Sequence, residues 1–251
     1  MSINISIIRK RGDLNVLSVV IPCYNCADFI EDSVYNLVEG LHKSNILDYE
    51  IVLVDDGSCD DTINRLSKLH ECNLNINFIS YRCNMGKGYA VKRGFQRCSG
   101  KYVIFVDADL STDVSNIAEV CGELSHSDVV IGSRTNDESK VKRSKFRSIV
   151  SYVCNVFVKL LTGLEFRDTQ CGLKGFRKEV VDYLLNTSKI DRFAFDVEFL
   201  KLVEDKFFVK ELPVNWVESP TSVVKYKDFF VFLRDLLRIK FSEFKKPGVD
   251  V

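Results

Sequence analysis

The chain has 251 residues, of which 46% are hydrophobic and 28% are charged, and this composition excludes disordered and fibrous proteins. Basic residues (Lys and Arg) and acidic residues (Asp and Glu) both number 35, so no net charge draws the whole protein to nucleic acid or to an anionic membrane. Residues 1–13 lack the apolar core of a signal peptide. We therefore expect a cytoplasmic protein whose nine cysteines stay reduced.

Strand-like and helix-like segments alternate along the first half of the chain. Runs rich in Val and Ile predict five buried strands, at 16–22, 49–56, 76–81, 101–109 and 128–134. Helix-like stretches follow the first four strands, near 27–41, 60–70, 87–98 and 114–125. Because parallel strands need crossover connections, this order predicts an α/β fold with a mainly parallel sheet flanked by helices. No linker interrupts the series, so we expect a single domain over 1–251.

The first predicted strand runs into Cys23 and Cys26, whose C-x-x-C spacing is also found in redox centres and in halves of zinc sites. A zinc site needs a second pair of ligands, and the sequence has neither a second C-x-x-C nor a histidine close to this one. The interpretation we prefer is two small, half-buried side chains at a strand-to-helix turn.

Acidic residues follow two of the predicted strands. Asp55 and Asp56 end the second strand, and Asp107 and Asp109 follow the apolar run of the fourth. In an open parallel sheet, ligands bind beyond the carboxyl ends of the strands. The pair Asp56-Gly57 alone would be interpreted as a turn. Two carboxylates two residues apart repel each other unless a cation lies beside them, and hard cations prefer oxygen ligands, so Asp107 and Asp109 predict a site for Mg²⁺ or Mn²⁺.

A series of segments in fixed order resembles the inverting glycosyltransferases of family 2, which have the GT-A fold. The segments are SVVIPCYN, VLVDDGSCDDT, NMGKGYAVKRG, YVIFVDADLST and VVIGSR. Three later segments resemble the polyprenyl-phosphate branch of that family, and within it the dolichyl-phosphate β-glucosyltransferases: RDTQCGLKGFRKE, RFAFDVEFL and LPVNWVE. The resemblance extends from about Val16 to Lys240.

The resemblance implies a metal-dependent enzyme that moves glucose from UDP-glucose onto a polyprenyl (dolichyl-type) phosphate. About 16–112 would form the nucleotide-sugar half and about 113–245 the acceptor half. The implied nucleotide-sugar residues are Pro22 and Tyr24 at the base, Asp55 at the uracil, Asp56 near the ribose, and Lys87, Asp107, Asp168 and Gln170 at the phosphates and the sugar. The implied catalytic residues are Asp107, Asp109 and Asp196, the last at a predicted helix start. Ser111 stands where some mannose-transferring relatives have a Gln that binds the metal.

A cationic segment, 140–147, has five basic residues in eight. Such a run is usually a solvated face. A phosphate monoester is already largely dianionic at neutral pH, so an acceptor of this kind needs cations that orient it more than it needs a general base. A polar stripe on the predicted helix 146–162 supports this role, because Arg147 lies one turn before Ser151 on it. We expect the acceptor phosphate to contact Arg134, Arg143, Arg147 and Ser151.

Apolar surface dominates the rest of helix 146–162, and the predicted helix 228–244 adds a second broad apolar face. A buried core helix would have the same composition. A basic cluster leading into an apolar helix is also typical of proteins that lie in a membrane interface. Neither segment has the ~20 uninterrupted apolar residues that span a bilayer. We expect peripheral attachment to the cytosolic face of a membrane, without a transmembrane segment.

Two other classes of function remain open. A family 2 enzyme could instead act on a glycan hydroxyl or use a mannosyl donor, and transfer to a soluble oligosaccharide would identify the first of these. The other function is a catalytically silent module that binds a nucleotide sugar. The intact pair of Asp107 and Asp109 argues against a silent module, because such a module has no need of two mutually repelling carboxylates.

Overall fold

The computed structural model describes residues 16–219 and 226–241, without the side chains of 146, 147 and 226–228. The expectation about a signal peptide concerns residues outside this part of the chain. The last three residues of the predicted helix 228–244 also lie outside it.

Nine strands are present in the described residues: β1 (Leu17–Cys23), β2 (Tyr49–Asp55), β3 (Ile76–Ser80), β4 (Tyr102–Val106), β5 (Val129–Ser133), β6 (Lys140–Lys142), β7 (Leu173–Arg177), β8 (Val209–Pro213) and β9 (Asn215–Val217). Seven of them form one sheet in the order β3-β2-β1-β4-β7-β5-β8. Strands β1 to β4 are parallel, β7 is antiparallel to its neighbours β4 and β5, and β8 is parallel to β5. Strands β6 and β9 form a separate parallel pair.

Eight helices accompany these strands in the same residues: α1 (Ile30–Lys43), α2 (Thr62–Cys72), α3 (Lys87–Phe95), α4 (Val114–Glu123), α5 (Lys145–Thr162), α6 (Lys178–Thr187), α7 (Phe195–Val203) and α8 (Tyr226–Phe241). Each predicted strand and helix agrees with an observed element to within three residues at either end, except at the end of the predicted helix 228–244, which lies outside the described residues. The predicted α/β class with a mainly parallel sheet is confirmed.

Two apolar clusters cover the two faces of the sheet. One contains side chains of α1, α2 and α4, and the other contains side chains of α3, α6 and α7. Strand β1 contributes Val19 and Ile21 to the first cluster and Val20 to the second, since successive side chains of a strand point to opposite faces. Burial on both faces explains why the central strands are continuous apolar runs without alternating polar residues.

The antiparallel strand β7 determines which segments meet at the functional edge. Its first residue, Leu173, pairs with Val106, the last residue of β4. The residues that precede β7 therefore lie beside the residues that follow β4. In this way Cys171 and Gly172 are placed next to Asp107, which lies 64 and 65 positions earlier along the chain.

Candidate active site

Lys87 and Asp107 form an ion pair at the carboxyl edge of the sheet. Asp107 follows β4, and Lys87 is the first residue of α3. The Lys87 Nζ lies 2.5 Å from Asp107 Oδ1 and 5.9 Å from the ring centroids of both Phe105 and Phe195. Desolvation opposes the charge of Lys87 and lowers its pKa. The negative charges of Asp107 and, to a smaller extent, Asp196 outweigh this effect, so the pKa of the lysine is raised. The strand edge therefore carries a fixed, charged ammonium group.

Asp109 lies next to this pair and is half-buried. The pKa of Asp109 is raised, mainly by burial and then by the negative charge of Asp107. A hydrogen bond from the Ser111 backbone N–H to Asp109 Oδ1, at 3.1 Å, opposes this rise. Two carboxylates crowded in this way fit a hard cation, which would relieve their repulsion. Within 16–219 and 226–241, however, no three His, Cys, Asp or Glu side chains are grouped to bind a metal. Asp107 and Asp109 are the side chains at this edge that could hold a divalent cation.

Gly172 closes one side of Asp107. A Cβ atom built on Gly172 would overlap the Asp107 carboxylate, so only glycine allows this close approach. Neighbouring residues of the same segment were predicted from the sequence, but Gly172 was not. The sequence alone does not distinguish a loop glycine that allows close packing against another residue from one that only forms a turn.

Asp196 and Lys174 form a second, buried ion pair. Asp196 lies in the first turn of α7, as the predicted helix start implied, and the Lys174 Nζ donates to its Oδ1 at 2.9 Å. The same ammonium donates to the carbonyl oxygen of Cys171 at 2.7 Å. Burial raises the pKa of Asp196, while Lys174 and then Lys87 oppose that rise. Lys174 was not predicted as a site residue.

Arg134 and Asp168, which were predicted to contact different substrates, are joined to each other. The Arg134 Nε and Nη2 atoms donate to the two Asp168 oxygens at 2.7 and 2.9 Å, and the Arg134 backbone N–H adds a third bond at 3.0 Å. Burial opposes the charge on Arg134, but Asp168 raises its pKa. Trp216 covers the guanidinium, which lies 5.6 Å from the ring. The charge of Arg134 is therefore compensated by Asp168. The backbone N–H of Gln170 also donates to Asp168, at 3.2 Å.

Asp56 binds the loop that leads into α3. Its buried carboxylate accepts hydrogen bonds from the Tyr81 hydroxyl at 2.8 Å, the Asn84 side-chain amide at 2.9 Å, and the backbone N–H groups of Met85 at 2.8 Å and Gly86 at 2.9 Å. Both oxygens are thus used inside the protein, and the position of Asp56 near the ribose stays a prediction. The carboxylate fixes the turn from which Lys87 extends.

The predicted base pocket lies where the loops after β1 and β2 meet. Asp55 is buried and accepts a hydrogen bond from the Ser58 backbone N–H at 3.0 Å. The Ser58 hydroxyl in turn accepts from the backbone N–H of Asn25 at 2.9 Å, which ties the two loops together. Tyr24 is exposed and Pro22 is half-buried at the same edge. The structure brings these residues together, and their contact with uracil stays a prediction.

Cys23 and Cys26 are more deeply buried than the half-buried position we expected. Their exposed fractions are 1% and 2%, and both thiols are free. A hydrogen bond with Cys26, together with burial, raises the pKa of Cys23. The same hydrogen bond lowers the pKa of Cys26 against the effect of its burial. Because both thiols are almost fully buried and the Cys23 thiol stays protonated, the geometry favours a packing role.

We expect the double variant Cys23→Ala/Cys26→Ala to keep kcat/KM within a few-fold of the wild-type value. Its melting temperature should fall, because two buried sulfur atoms that fill the core are lost. Steady-state kinetics and thermal unfolding on one preparation check both statements. The packing role would be contradicted by two results together: the variant loses activity, and the activity of the wild type depends on zinc or on an oxidant.

The polar stripe of α5 faces the segment that carries Asp168. The Asn155 side-chain amide donates to the carbonyl oxygen of Arg167 at 3.1 Å, and half-buried Ser151 lies one turn earlier on that stripe. Arg143 is half-buried just before the helix. The side chain of Arg147 lies outside the described residues. The structure therefore supports the predicted direction of the stripe, and its contact with a phosphate stays a prediction.

Helix α5 also exposes apolar side chains to solvent. Tyr152 and Leu160 are 71% and 73% exposed, so the alternative of a buried core helix is wrong. Helix α8 packs beside α5 through the rings of Phe157 and Phe229, whose centroids are 6.2 Å apart, and exposes Phe230 in the same way. No helix in the described part of the chain combines the length and the apolar composition needed to cross a membrane.

Comparisons with curated proteins match nearly the whole chain. It is 34% identical to a dolichyl-phosphate β-glucosyltransferase of Dictyostelium discoideum, over 94% of this chain and 78% of that protein. Proteins of the same name from Saccharomyces cerevisiae and Homo sapiens are each 30% identical, over 90% and 89% of this chain and 74% of each relative.

Solved structures resemble the fold at lower identity. A glucosyl-3-phosphoglycerate synthase of Mycobacterium tuberculosis, in complex with Mn²⁺, UDP and glucosyl-3-phosphoglycerate, matches with a TM-score of 0.65 at 17% identity, over 90% of this chain and 78% of that one. A mannosyltransferase of Pyrobaculum calidifontis, in complex with GDP-Man and Mn²⁺, matches with a TM-score of 0.59 at 18% identity, over 92% and 71%. These likenesses confirm the predicted GT-A fold.

The family model described as glycosyl transferase family 2 matches residues 18–185, which is more than half of the chain. The matched range includes Asp107, Asp109, Lys87 and the Arg134–Asp168 pair. Together with the relatives above, this match shows that the chain belongs to glycosyltransferase family 2.

Proposed function

We propose that the protein transfers glucose from UDP-glucose to a polyprenyl phosphate of the dolichyl type, with inversion at the anomeric carbon. The observation that carries the proposal is the path of segment 167–172. Its first residue accepts a hydrogen bond from Asn155 on the polar face of α5, and its last residue, Gly172, packs on Asp107. The segment therefore connects the predicted donor site with the predicted acceptor site, and the names of the curated relatives support this pair of substrates.

At the donor end, the chemistry is neutralisation of charge. The nucleoside diphosphate gains negative charge as the bond from the sugar C1 to oxygen breaks. Lys87, at the amino end of α3, is placed to bind that diphosphate. A divalent cation on Asp107 and Asp109 would add Lewis-acid neutralisation of the same charge. The structural neighbours with Mn²⁺ support such a cofactor, and Mg²⁺ has the same preference for oxygen ligands.

At the acceptor end, the phosphate dianion needs orientation more than deprotonation. Asp196 supports this view, because it is buried and already paired with Lys174 and so is suited to position the sugar or the acceptor. Arg143, Arg147 and Ser151 are the proposed phosphate ligands. Arg134 contributes indirectly in this proposal, since its contacts with Asp168 shape segment 167–172.

Attachment to the cytosolic surface of a membrane completes the proposal. Exposed apolar side chains on α5 and α8 would enter the interface, and the basic residues Lys140, Lys142 and Lys145 would contact anionic headgroups. A lipid phosphate at that surface would lie close to the amino end of α5. The division into a nucleotide-sugar half, about 16–112, and an acceptor half, about 113–245, belongs to the same proposal.

A panel of labelled nucleotide sugars and acceptors tests this function. With UDP-glucose and polyprenyl phosphate, we expect label to pass into organic solvent, and we expect none to pass to a soluble oligosaccharide. A preference for GDP-mannose would establish the mannosyl alternative, and transfer only to the oligosaccharide would establish the glycan-hydroxyl alternative. Binding of UDP-glucose without transfer to any acceptor would establish the silent module.

Arg143→Ala and Arg147→Ala test the acceptor site separately. Each removes a charge-assisted hydrogen bond to a group with about two negative charges, at a cost on the order of 1.5 to 3 kcal/mol, or roughly ten- to hundred-fold. The loss should appear as a higher KM for polyprenyl phosphate or as slower transfer. Calorimetry should show an unchanged affinity for UDP-glucose, because the nucleotide site lies at Tyr24 and Asp55.

Arg97→Ala is the matched control, because Arg97 is an exposed cation just beyond the far end of α3 from the site. It should leave both quantities unchanged. If Arg147→Ala weakens UDP-glucose binding as much as it slows transfer, or alters neither, the cationic segment is not the acceptor site.

A further inference from the structure

Lys174 is a wholly buried lysine in the middle of β7, with 0% of its surface exposed. It pairs in register with Phe105 of β4 on one side and with Ile131 of β5 on the other. An ammonium group in such surroundings is costly unless it is paired and hydrogen-bonded, and an apolar residue would fill the same space without that cost. The presence of lysine at this position therefore calls for a role beyond packing.

The ammonium of Lys174 has specific partners. It donates to Asp196 Oδ1 at 2.9 Å and to the Cys171 carbonyl oxygen at 2.7 Å, and it lies 5.5 Å from the centroid of the Phe105 ring. These contacts join three elements: the amino end of α7, the segment before β7, and β4. A neutral side chain of similar length could not satisfy both oxygen acceptors with charge-assisted bonds.

Both residues that accept hydrogen bonds from Lys174 are next in the chain to a residue that lies against the Lys87–Asp107 pair. Cys171 precedes Gly172, whose backbone packs on the Asp107 carboxylate. Asp196 follows Phe195, whose ring lies beside the Lys87 ammonium. One buried cation thus holds two walls of the site at once, without contact to Asp107 itself in the described structure.

We propose that Lys174 is a positioning residue for the transfer reaction, which holds Asp196 as a carboxylate and keeps the Cys171–Gly172 backbone against Asp107. This inference rests on the proposed function, because it assigns a role within that reaction. Lys174 acts through its two partners and not through contact with a substrate.

The charges around Asp196 give the inference a measurable consequence. The groups that face it are Lys174 from β7, Lys87 from α3 and Asp107 after β4. Burial raises the pKa of Asp196 and the two lysines lower it. Loss of the Lys174 charge should raise this pKa further, so that Asp196 becomes protonated at a higher pH. The acidic limb of the kcat profile should then move to higher pH.

Lys174→Met, Asp196→Asn and the double variant form a cycle that tests the inference. We expect Lys174→Met to lower kcat by roughly ten- to hundred-fold, with KM for UDP-glucose within a few-fold and the acidic limb shifted upward. In the Asp196→Asn background, the same change should cost less than in the wild type, because only the contact with the Cys171 carbonyl oxygen remains to be lost. Lys101→Met, at an exposed lysine just before β4, is the control that should change neither value.

Two further measurements keep the outcome decisive. Carboxyl ¹³C NMR, with Asp196 assigned by difference from Asp196→Asn, reports the pKa of Asp196 without any turnover. If Lys174→Met does not fold, the double variant, which has no unpaired charge at this site, is compared with Asp196→Asn alone. An unshifted Asp196 pKa and acidic limb in Lys174→Met, or equal losses in both backgrounds of the cycle, would overturn the inference.

Failure of the proposed function would look different. Transfer by the wild type to a glycan, or from another nucleotide sugar, would refute the proposed substrates. The kinetics of the three variants would then be measured on that reaction. The NMR titration of Asp196 would still test the role of Lys174, because it does not depend on the substrates.

Discussion

Asp107→Asn and Asp109→Asn are each expected to lower kcat by at least ~10²-fold, the scale of losing one preorganised electrostatic contact. Asp107 contacts Lys87 at 2.5 Å, and the two carboxylates are the proposed ligands of the divalent cation. Asparagine preserves the shape of the side chain and removes the charge. Turnover of labelled UDP-glucose across a series of Mg²⁺ and Mn²⁺ concentrations measures the effect.

Asp205→Asn is the control for these two variants, because Asp205 is an exposed carboxylate beyond α7. It should have wild-type turnover at every metal concentration. Near-normal, metal-dependent turnover in both Asp107→Asn and Asp109→Asn would remove them from the reaction.

Gly172→Ala is expected to have an effect of similar size, at least ~10²-fold on kcat, without any change of charge. The added methyl group would overlap the Asp107 carboxylate, so either Asp107 or segment 167–172 must move. A displacement of about 1 Å in a catalytic group is enough for a loss of this scale. Steady-state kinetics, with thermal unfolding on the same preparation, measures the effect.

Gly122→Ala is the matched control, because a Cβ at Gly122 of α4 meets no other atom within 4 Å. Alanine is favoured over glycine in helices by up to about 1 kcal/mol, so this variant should keep its turnover and its thermal stability. Normal turnover in Gly172→Ala at an unchanged melting temperature would show that the close approach to Asp107 has no catalytic importance.

The first five strands and four helices could be predicted because their local pattern agrees with their final environment. Strands β1, β2 and β4 are buried on both faces, so each is an apolar run that sequence reveals directly. Strand β7 is different: its sequence, LKGFR, contains two cations and a glycine in five residues. It is a strand because it pairs with β4 and β5, and this tertiary pairing overrides its weak local preference.

Site residues that directly follow a strand could be predicted from the sequence. Asp107 and Asp109 lie at such positions, whereas Lys87 begins α3 and was named through the family resemblance. The structure brings all three together at one edge of the sheet. The pairings were not predictable, because the partners are far apart along the chain: Arg134 binds Asp168, and Lys174 binds Asp196. Sequence shows which residues carry charge, but only the fold shows which charges neutralise each other.

NMR of the extracted product tests the central claim most directly. After incubation with ¹³C-labelled UDP-glucose and polyprenyl phosphate, the account predicts a lipid whose glucose C1 couples to ³¹P and whose anomeric proton has the β configuration. That result would show the acceptor atom, the transferred sugar and the inversion in a single molecule. An anomeric carbon without coupling to phosphorus, an α-configured product, or free glucose alone would contradict transfer to a lipid phosphate by inversion.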